Sequence, residues 1–178
     1  MISDFVKGNR KLGYAATVQK GIALHRAIDD FTDTHPATAK AKEVFRPQYR
    51  LYSAPIVDII YDHFVATDAS IFSDASLLQF TKEVYQTLEL EAAHLPLHFV
   101  TVFTYMRMDN WLYHYRTPEG IQKSLRGLVR RASFINDSET AYNLFLSNYD
   151  ELKSCYENFF PDIQQMAKQK LSELLEEF

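Results

Sequence analysis

The chain has 178 residues, of which 47% are hydrophobic and 24% charged, and its net charge is −4. These values predict one soluble globular domain over residues 1–178. Five Gly and six Pro leave little room for a β-rich fold or a disordered linker, and the single Cys155 excludes an internal disulfide. Because no signal-peptide pattern or membrane-length apolar run occurs, we expect a cytoplasmic protein without membrane contact.

The first long element is a predicted helix over residues 14–33. His25 and Asp29 lie four residues apart on one of its faces, and Asp33 extends that face by another turn. A core-facing stripe accompanies them, formed by Ile22, Ala23, Ala27, Ile28 and Phe31. For His25 alone, the simpler interpretation is a packed core histidine, with Asp29 capping the helix or paired with Arg26.

The helix is predicted to break at residues 34–36, because the residue before a proline avoids the helical region. Pro36 then suits the first turn of a second helix, which we predict to run to about residue 49. Near its end, Arg46 and Arg50 lie four residues apart. They either face one anion together or complement the helix dipole, and the pattern favours neither interpretation.

Residues 55–65, with the sequence PIVDIIYDHFV, predict a helix that is apolar on nearly every side and therefore buried. Asp58 and Asp62 lie four residues apart on one face of it, and His63 follows directly. Buried carboxylates without compensation are strongly destabilising, so an arginine, a proton or a metal ion must neutralise them. A salt bridge to arginine at the domain edge is the alternative to a metal site.

The remaining segments also predict helices. They cover residues 73–90, residues 95–106, residues 120–131 after the start Thr117-Pro118-Glu119, a long helix from Asp137 or Ser138 to about residue 159, and an amphipathic helix that Pro161 separates from it. The sequence contains no repeat, low-complexity tract or run of alternating strand pattern. The predicted fold is all-α, a compact single-domain helical bundle.

The two helices with regularly spaced aspartates predict a metal centre. Neutral imidazole together with carboxylate suits Zn, Mn or Fe, whereas an all-oxygen set would suit Mg or Ca. Each helix offers a histidine and spaced aspartates, so the two helices can bring their ligands to one ion. From the spacing we expect one or two divalent ions bound among His25, Asp29, Asp58, Asp62 and His63.

Ordered motifs occur along the whole chain. They are Ser3-Asp4-Phe5-Val6-Lys7-Gly8-Asn9, Gly21-Ile22 with His25-Arg26-x-x-Asp29, Thr32-Asp33, Pro55-Ile56-x-Asp58, Asp62-His63-Phe64, Trp111-Leu112-x-x-Tyr115 and Phe159-Phe160-Pro161. As an ordered set they resemble the acyl carrier protein phosphodiesterases. That family is regarded as a divergent branch of the HD-type metal phosphohydrolases, so the resemblance implies an HD-like helical fold.

The resemblance also implies an activity in fatty acid and lipid metabolism. This is the hydrolysis of holo-acyl carrier protein to the apo form and 4′-phosphopantetheine, with Mn²⁺ as the expected ion and Mg²⁺ or Fe²⁺ as alternatives. Carried over by position, the metal ligands are Asp4, His25, Asp29, Asp62 and His63. Asp33 and Asp58 are then the catalytic candidates, which would orient a water molecule or transfer its proton.

The charge distribution bears on the partner. Residues 101–131 carry six Lys/Arg against two Asp/Glu, on a chain that is acidic overall. A local basic surface suits an acidic protein better than nucleic acid. We therefore expect holo-acyl carrier protein to be steered by the basic side chains of Arg46, Arg50, Arg126 and Arg130.

Two other functions fit the same residues. One is an HD-type phosphohydrolase that acts on a nucleotide or another small phosphate ester. The other is an inactive helical binding protein, because family members usually carry a short apolar segment with a histidine before the Asp4 motif. Without that segment we expect an exposed apolar groove near Asp4 and the His25 helix, with self-association through it and weaker metal binding.

Overall fold

The computed structural model of the protein describes residues 2–176. Within these residues there are nine α-helices and no β-strand, which confirms the all-α prediction. The helices are α1 (Ala16–Thr34), α2 (Pro36–Tyr49), α3 (Ser53–Thr67), α4 (Asp74–Leu90), α5 (Leu97–Met108), α6 (Trp111–His114), α7 (Pro118–Arg131), α8 (Glu139–Ser147) and α9 (Tyr149–Glu176). Short 3₁₀ turns cover Ser3–Phe5, Gly8–Gly13, Arg50–Tyr52 and Ala92–His94.

Side-chain caps explain where several helices begin. The Ser73 hydroxyl accepts a hydrogen bond from the backbone N–H of Ser76 at the start of α4. The Thr117 hydroxyl does the same for Gly120 at the start of α7. Such caps satisfy backbone donors that have no partner inside the helix. The predicted starts of these two helices are therefore confirmed to within a few residues.

The C-terminal third departs from the prediction at two residues. The long helix predicted from residue 137 or 138 divides at Asn148, whose side chain donates to the Leu144 carbonyl at 2.8 Å. The prediction that Pro161 separates two helices is wrong, because Pro161 lies inside α9. A proline in a helix interior normally costs about 3 kcal/mol. Phe159 and Ile163, on either side of it, are both buried, and their packing offsets that cost.

The main hydrophobic core lies around α3. That helix packs against α2, α7 and α9, while α9 also packs along α1 and α2. Ile56, Val57 and Ile60 are each at most 1% exposed, and burial of one such side chain contributes about 1.5–3 kcal/mol. A smaller core joins α4 and α5 through Tyr85, Phe99, Phe103 and Met106. Between residues 2 and 176, no helix combines the length and apolarity needed to cross a membrane.

Candidate metal centre

Three ligand side chains converge near the N-terminal end of the chain. Asp4, His25 and Asp29 each offer an oxygen or nitrogen atom, and these atoms lie within 4.8 Å of one another. His25 Nδ1 is 2.9 Å from Asp29 Oδ2, as expected for residues four apart on one helical face. One imidazole with two carboxylates is a donor set that suits Mn, Fe or Zn. The chemistry of the cluster therefore fits a divalent ion.

Asp4 reaches this cluster from a 3₁₀ turn that two contacts fix. The Arg26 guanidinium Nη2 donates to the Val6 carbonyl oxygen at 2.6 Å, which ties the turn to α1. The Phe5 ring lies 5.3 Å from the Phe99 ring of α5, measured between ring centroids. Arg26 therefore holds the N-terminal segment, and the alternative that pairs it with Asp29 does not hold.

Helix α3 brings two more carboxylates to the same cavity. The cavity has a volume of about 680 Å³, and its acidic lining comprises Asp4, Asp29, Asp33, Asp58 and Asp62 beside His25. Its other wall is apolar and includes Tyr61, Val65, Tyr156, Phe159, Phe160 and Ile163. Six of the seven predicted site residues therefore share one cavity, formed mainly by α1, α3 and α9.

The α3 carboxylates are solvent-accessible through the cavity, yet protein atoms surround them closely and limit their hydration. Burial and then the Asp33 carboxylate raise the pKa of Asp58 to about 6, with Asp29 and Asp4 adding to the effect. Burial and then Asp58 raise the pKa of Asp62 to about 7. Crowded carboxylates disfavour one another's ionisation. A bound cation would relieve this repulsion.

Asp33 differs from the other carboxylates because it has a cation of its own. Lys42 Nζ lies 2.8 Å from Asp33 Oδ1 and also donates to the Asp33 backbone carbonyl at 3.1 Å. Lys42 is on α2, and its side chain is only 12% exposed. Because this ion pair engages the Asp33 carboxylate, Asp58 is the better placed of the two predicted catalytic aspartates to exchange a proton.

The structure does not place His63 in the cluster. Its ring is 4% exposed and lies on the core side of α3, away from the cavity. His63 Nδ1 donates to the Tyr115 carbonyl oxygen at 2.8 Å, so Nε2 is left to accept from the Tyr149 hydroxyl at 3.1 Å. Burial lowers the pKa of His63, which keeps the ring neutral. The assignment of His63 as a metal ligand is corrected here, because both ring nitrogens already have partners.

Tyr115 interacts with both His63 and Asp62 of α3, a position that was not among the predicted site residues. Its backbone carbonyl holds His63, and its hydroxyl forms a hydrogen bond that lowers the pKa of Asp62. Burial raises the pKa of the Tyr115 phenol itself, with the Asp62 charge adding to the shift, so the hydroxyl stays protonated and donates to the carboxylate. The only sequence signal for this role was the motif Trp111-Leu112-x-x-Tyr115.

The four predicted partner-binding arginines fall into two separate cavities. Arg46 and Arg50 line a cavity of about 870 Å³ together with Lys42. Arg46 forms an ion pair with Glu43, and Arg50 lies just beyond α2 with a φ of 49° rather than on its face. Arg126 and Arg130 line a different cavity of about 280 Å³, which Tyr115 also lines. Lys42 of the first cavity pairs with Asp33 of the acidic cavity, and Tyr115 of the second interacts with Asp62.

The sequence model of a protein family described as "Acyl carrier protein phosphodiesterase" matches residues 1–163. The chain belongs to the acyl carrier protein phosphodiesterase family. A relative of that name from Enterobacter sp. (strain 638) is 30% identical over 171 residues, or 96% of this chain and 89% of the relative. Relatives of the same name from Klebsiella pneumoniae (strain 342) and Escherichia coli O6:H1 are each 29% identical with the same coverage.

No solved structure matches the chain. The HD-like architecture implied by the resemblance therefore stays a prediction, although the helical class is confirmed. Within this chain the matched region includes α1, α3 and the Ser3–Phe5 turn, which carry most of the acidic cavity. The family motifs that contain Asp4, His25, Asp29, Asp58 and Asp62 thus meet at one place in the fold.

Proposed function

We propose that this chain hydrolyses the phosphodiester bond between 4′-phosphopantetheine and the serine of holo-acyl carrier protein, in a metal-dependent reaction that leaves the apo form. The observation that carries the proposal is the convergence of Asp4, His25 and Asp29, whose ligand atoms lie within 4.8 Å of one another. Membership of the family supports the substrate, since its relatives bear the name of that activity.

Asp4, His25 and Asp29 would hold the ion, and Asp62 would add a carboxylate from the facing helix α3. A divalent ion, with Mn²⁺ expected and Mg²⁺ or Fe²⁺ as alternatives, would act as a Lewis acid by lowering the pKa of water and offsetting charge on a phosphoryl oxygen. Tyr115 would position Asp62 through its hydroxyl. These roles use oxygen and nitrogen ligands of the type found in such centres.

Asp58 is the proposed general base. Its pKa of about 6 leaves the carboxylate mostly ionised near neutral pH while it remains basic enough to accept a proton. It would accept the proton of the water that attacks phosphorus, as the bond between phosphorus and the serine oxygen breaks. The serine oxygen would take up a proton from solvent and Asp58 would release its proton to solvent, which gives the apo carrier and free 4′-phosphopantetheine. Asp33 would remain in its ion pair with Lys42 and so keep a constant charge beside Asp58.

The acidic carrier protein would approach over the two basic cavities beside the centre. Arg46 and Arg50 line one of these cavities, and Arg126 and Arg130 line the other. Arg126→Glu and Arg46→Glu should slow encounter more at low salt than at high salt, because screening weakens exposed charge interactions. Lys168→Glu, an exposed charge change on α9, is the matched control. Equal rates for all three variants at low salt would contradict the steering.

Incubation with holo-acyl carrier protein and Mn²⁺ tests the function. Intact-protein mass spectrometry should show loss of the 4′-phosphopantetheine group, and a chelator should stop the reaction. The Asp58→Asn variant should still bind Mn²⁺ but turn over slowly, because the amide cannot accept the proton. Absence of any mass change with Mn²⁺, Mg²⁺ or Fe²⁺ would overturn the proposal. Turnover of a nucleotide under the same conditions would favour the small-ester phosphohydrolase instead.

A further inference from the structure

A second, apolar groove also reaches His25 and shares this residue with the acidic cavity. It has a volume of about 260 Å³ and runs between the Ser3–Phe5 turn, α1 and the end of α4. Its apolar walls include Ile2, Val18, Ile22, Leu88 and Leu95. His25 lines both the groove and the acidic cavity, so the groove ends at the candidate metal centre.

Gly21 lies on the groove wall in the interior of α1. A glycine at such a position destabilises a helix by roughly 0.5–1 kcal/mol relative to alanine. No close packing requires it, because a Cβ at residue 21 would meet no atom within 4 Å. Gly21 is four residues before His25 and therefore on the same face of α1. What the glycine provides is open space in the groove, one helical turn from a metal ligand.

The two spaces beside His25 differ in size and in lining. A phosphodiester of this kind joins a slender pantetheine chain, which carries a gem-dimethyl group, two amides and a thiol, to the surface of a folded protein. The groove is small, and aliphatic side chains line it together with Tyr14, Glu91 and His94, whereas the acidic cavity measures about 680 Å³ and is lined by five aspartates. A folded carrier protein is too large for either space and would stay at the protein surface, whereas a single slender chain fits the groove.

We infer that the groove binds the pantetheine arm of the carrier protein, with the phosphate end of the arm at His25. This inference rests on the proposed function and adds the location of one half of its substrate. Apolar contacts with Val18, Ile22 and Leu88 would hold the arm, since burial of apolar surface is favourable in a narrow site. The scissile phosphodiester would then lie between the arm and the protein, beside the Asp4, His25 and Asp29 cluster.

Substitutions of increasing size at Gly21 test the inference. In the series Gly21→Ala, Gly21→Leu and Gly21→Phe, KM for holo-acyl carrier protein should rise with side-chain volume, by about tenfold or more for Gly21→Phe. Mn²⁺ affinity should remain that of the wild type, because residue 21 offers no ligand atom. Ala16→Phe adds the same ring to an exposed position of α1 outside the groove, and its KM should match the wild type.

Free pantetheine provides a test that does not depend on turnover. Titration followed by NMR should show binding to the wild type and loss of binding in Gly21→Phe. Failure of the wild type to hydrolyse the carrier would overturn the proposed function, whereas hydrolysis with an unchanged KM in Gly21→Phe would overturn the groove assignment alone. Self-association of the wild type that Gly21→Phe abolishes, with KM unchanged, would instead assign the groove to a second copy of the chain.

Discussion

His25 and His63, on helices α1 and α3, occupy opposite kinds of environment. His25 has a side chain that is 33% exposed, and it shares the candidate metal cavity with five aspartates, including Asp29 at 2.9 Å. His63 is 4% exposed, and both of its ring nitrogens have protein partners. The comparison teaches that an imidazole is available to an ion only where the fold leaves a nitrogen free and places carboxylates beside it.

The largest expected effect follows from removal of the available imidazole. His25→Ala should lower Mn²⁺ affinity and carrier hydrolysis by at least about 100-fold, because one of three clustered ligands is lost. The helical fold should survive, since His25 is not part of the buried core. Calorimetric Mn²⁺ titration and circular dichroism measure the two properties. Wild-type Mn²⁺ affinity in His25→Ala would show that the cluster is not the metal centre.

Removal of the buried imidazole should act on stability instead. His63→Ala leaves a cavity and deprives the Tyr115 carbonyl and the Tyr149 hydroxyl of their partner, so we expect a loss of about 2–4 kcal/mol in the free energy of unfolding. Urea denaturation measures this loss. At temperatures where the variant is folded, its Mn²⁺ affinity should stay close to that of the wild type. A stable His63→Ala protein that no longer binds Mn²⁺ would reverse the comparison.

The pH dependence of stability should differ for the cavity side of α3, which carries Asp58 and Asp62, and for the core side, which carries His63. The pKa values of Asp58 and Asp62 are raised in the folded protein to about 6 and about 7, so folding favours their protonated forms. Their stabilising contribution is therefore complete at low pH and lost as pH rises through 6 to 7. Without metal, the melting temperature should fall between pH 5 and pH 8, and Mn²⁺ should restore it most at pH 8.

Asp62→Asn supplies the control for that profile. It removes one of the two titrating carboxylates, so the fall in melting temperature without metal should become shallower. The pKa of His63 is lowered by burial, so its contribution runs in the opposite direction and is lost as pH falls. A melting temperature that rises steadily from pH 5 to pH 8 in the metal-free wild type would contradict the repulsion among the carboxylates.

The smallest expected effect comes from Tyr115, which serves both sides of α3. Tyr115→Phe removes the hydroxyl whose hydrogen bond lowers the pKa of Asp62, but it keeps the backbone carbonyl that holds His63. Mn²⁺ affinity at pH 6.5 should fall by about two- to tenfold, the value of one hydrogen bond, and should recover at pH 8.5. Stability should change less than in His63→Ala. An equal loss of affinity at both pH values would show that Tyr115 acts through packing.

Local sequence signals predicted most of the helices. Pro36 and the Thr117-Pro118 start gave the beginnings of α2 and α7, and the apolar run around Ile56 and Ile60 gave the buried α3. The prediction that a helix ends at Pro161 was wrong, because the packing of the surrounding residues overrides the local preference of proline to end a helix. Local helix propensity contains no information about such tertiary contacts.

The candidate site was likewise predictable only where local spacing along a helix determines which residues meet. His25 and Asp29 share a helical face, so their meeting followed from spacing alone. Asp62 and His63 are consecutive, and consecutive residues point about 100° apart around a helix. His63 contacts Tyr115 and Tyr149, which lie 52 and 86 residues further along the chain. These distant contacts decide that Asp62, and not His63, faces the cavity. The Lys42 partner of Asp33 likewise comes from the next helix.

Asp4 is the one clustered ligand that a long helix does not carry. Its 3₁₀ turn is held by the Arg26 hydrogen bond to Val6 and by the ring of Phe5, and short turns with few contacts open at lower free energy than helices. Closure of residues 2–6 and capture of an ion are then linked equilibria, because an ion that binds only the closed form stabilises it by mass action. Amide hydrogen exchange in the Val6 region would consequently slow as the Mn²⁺ concentration rises, so the N-terminal turn reports on occupancy of the centre that it helps to build.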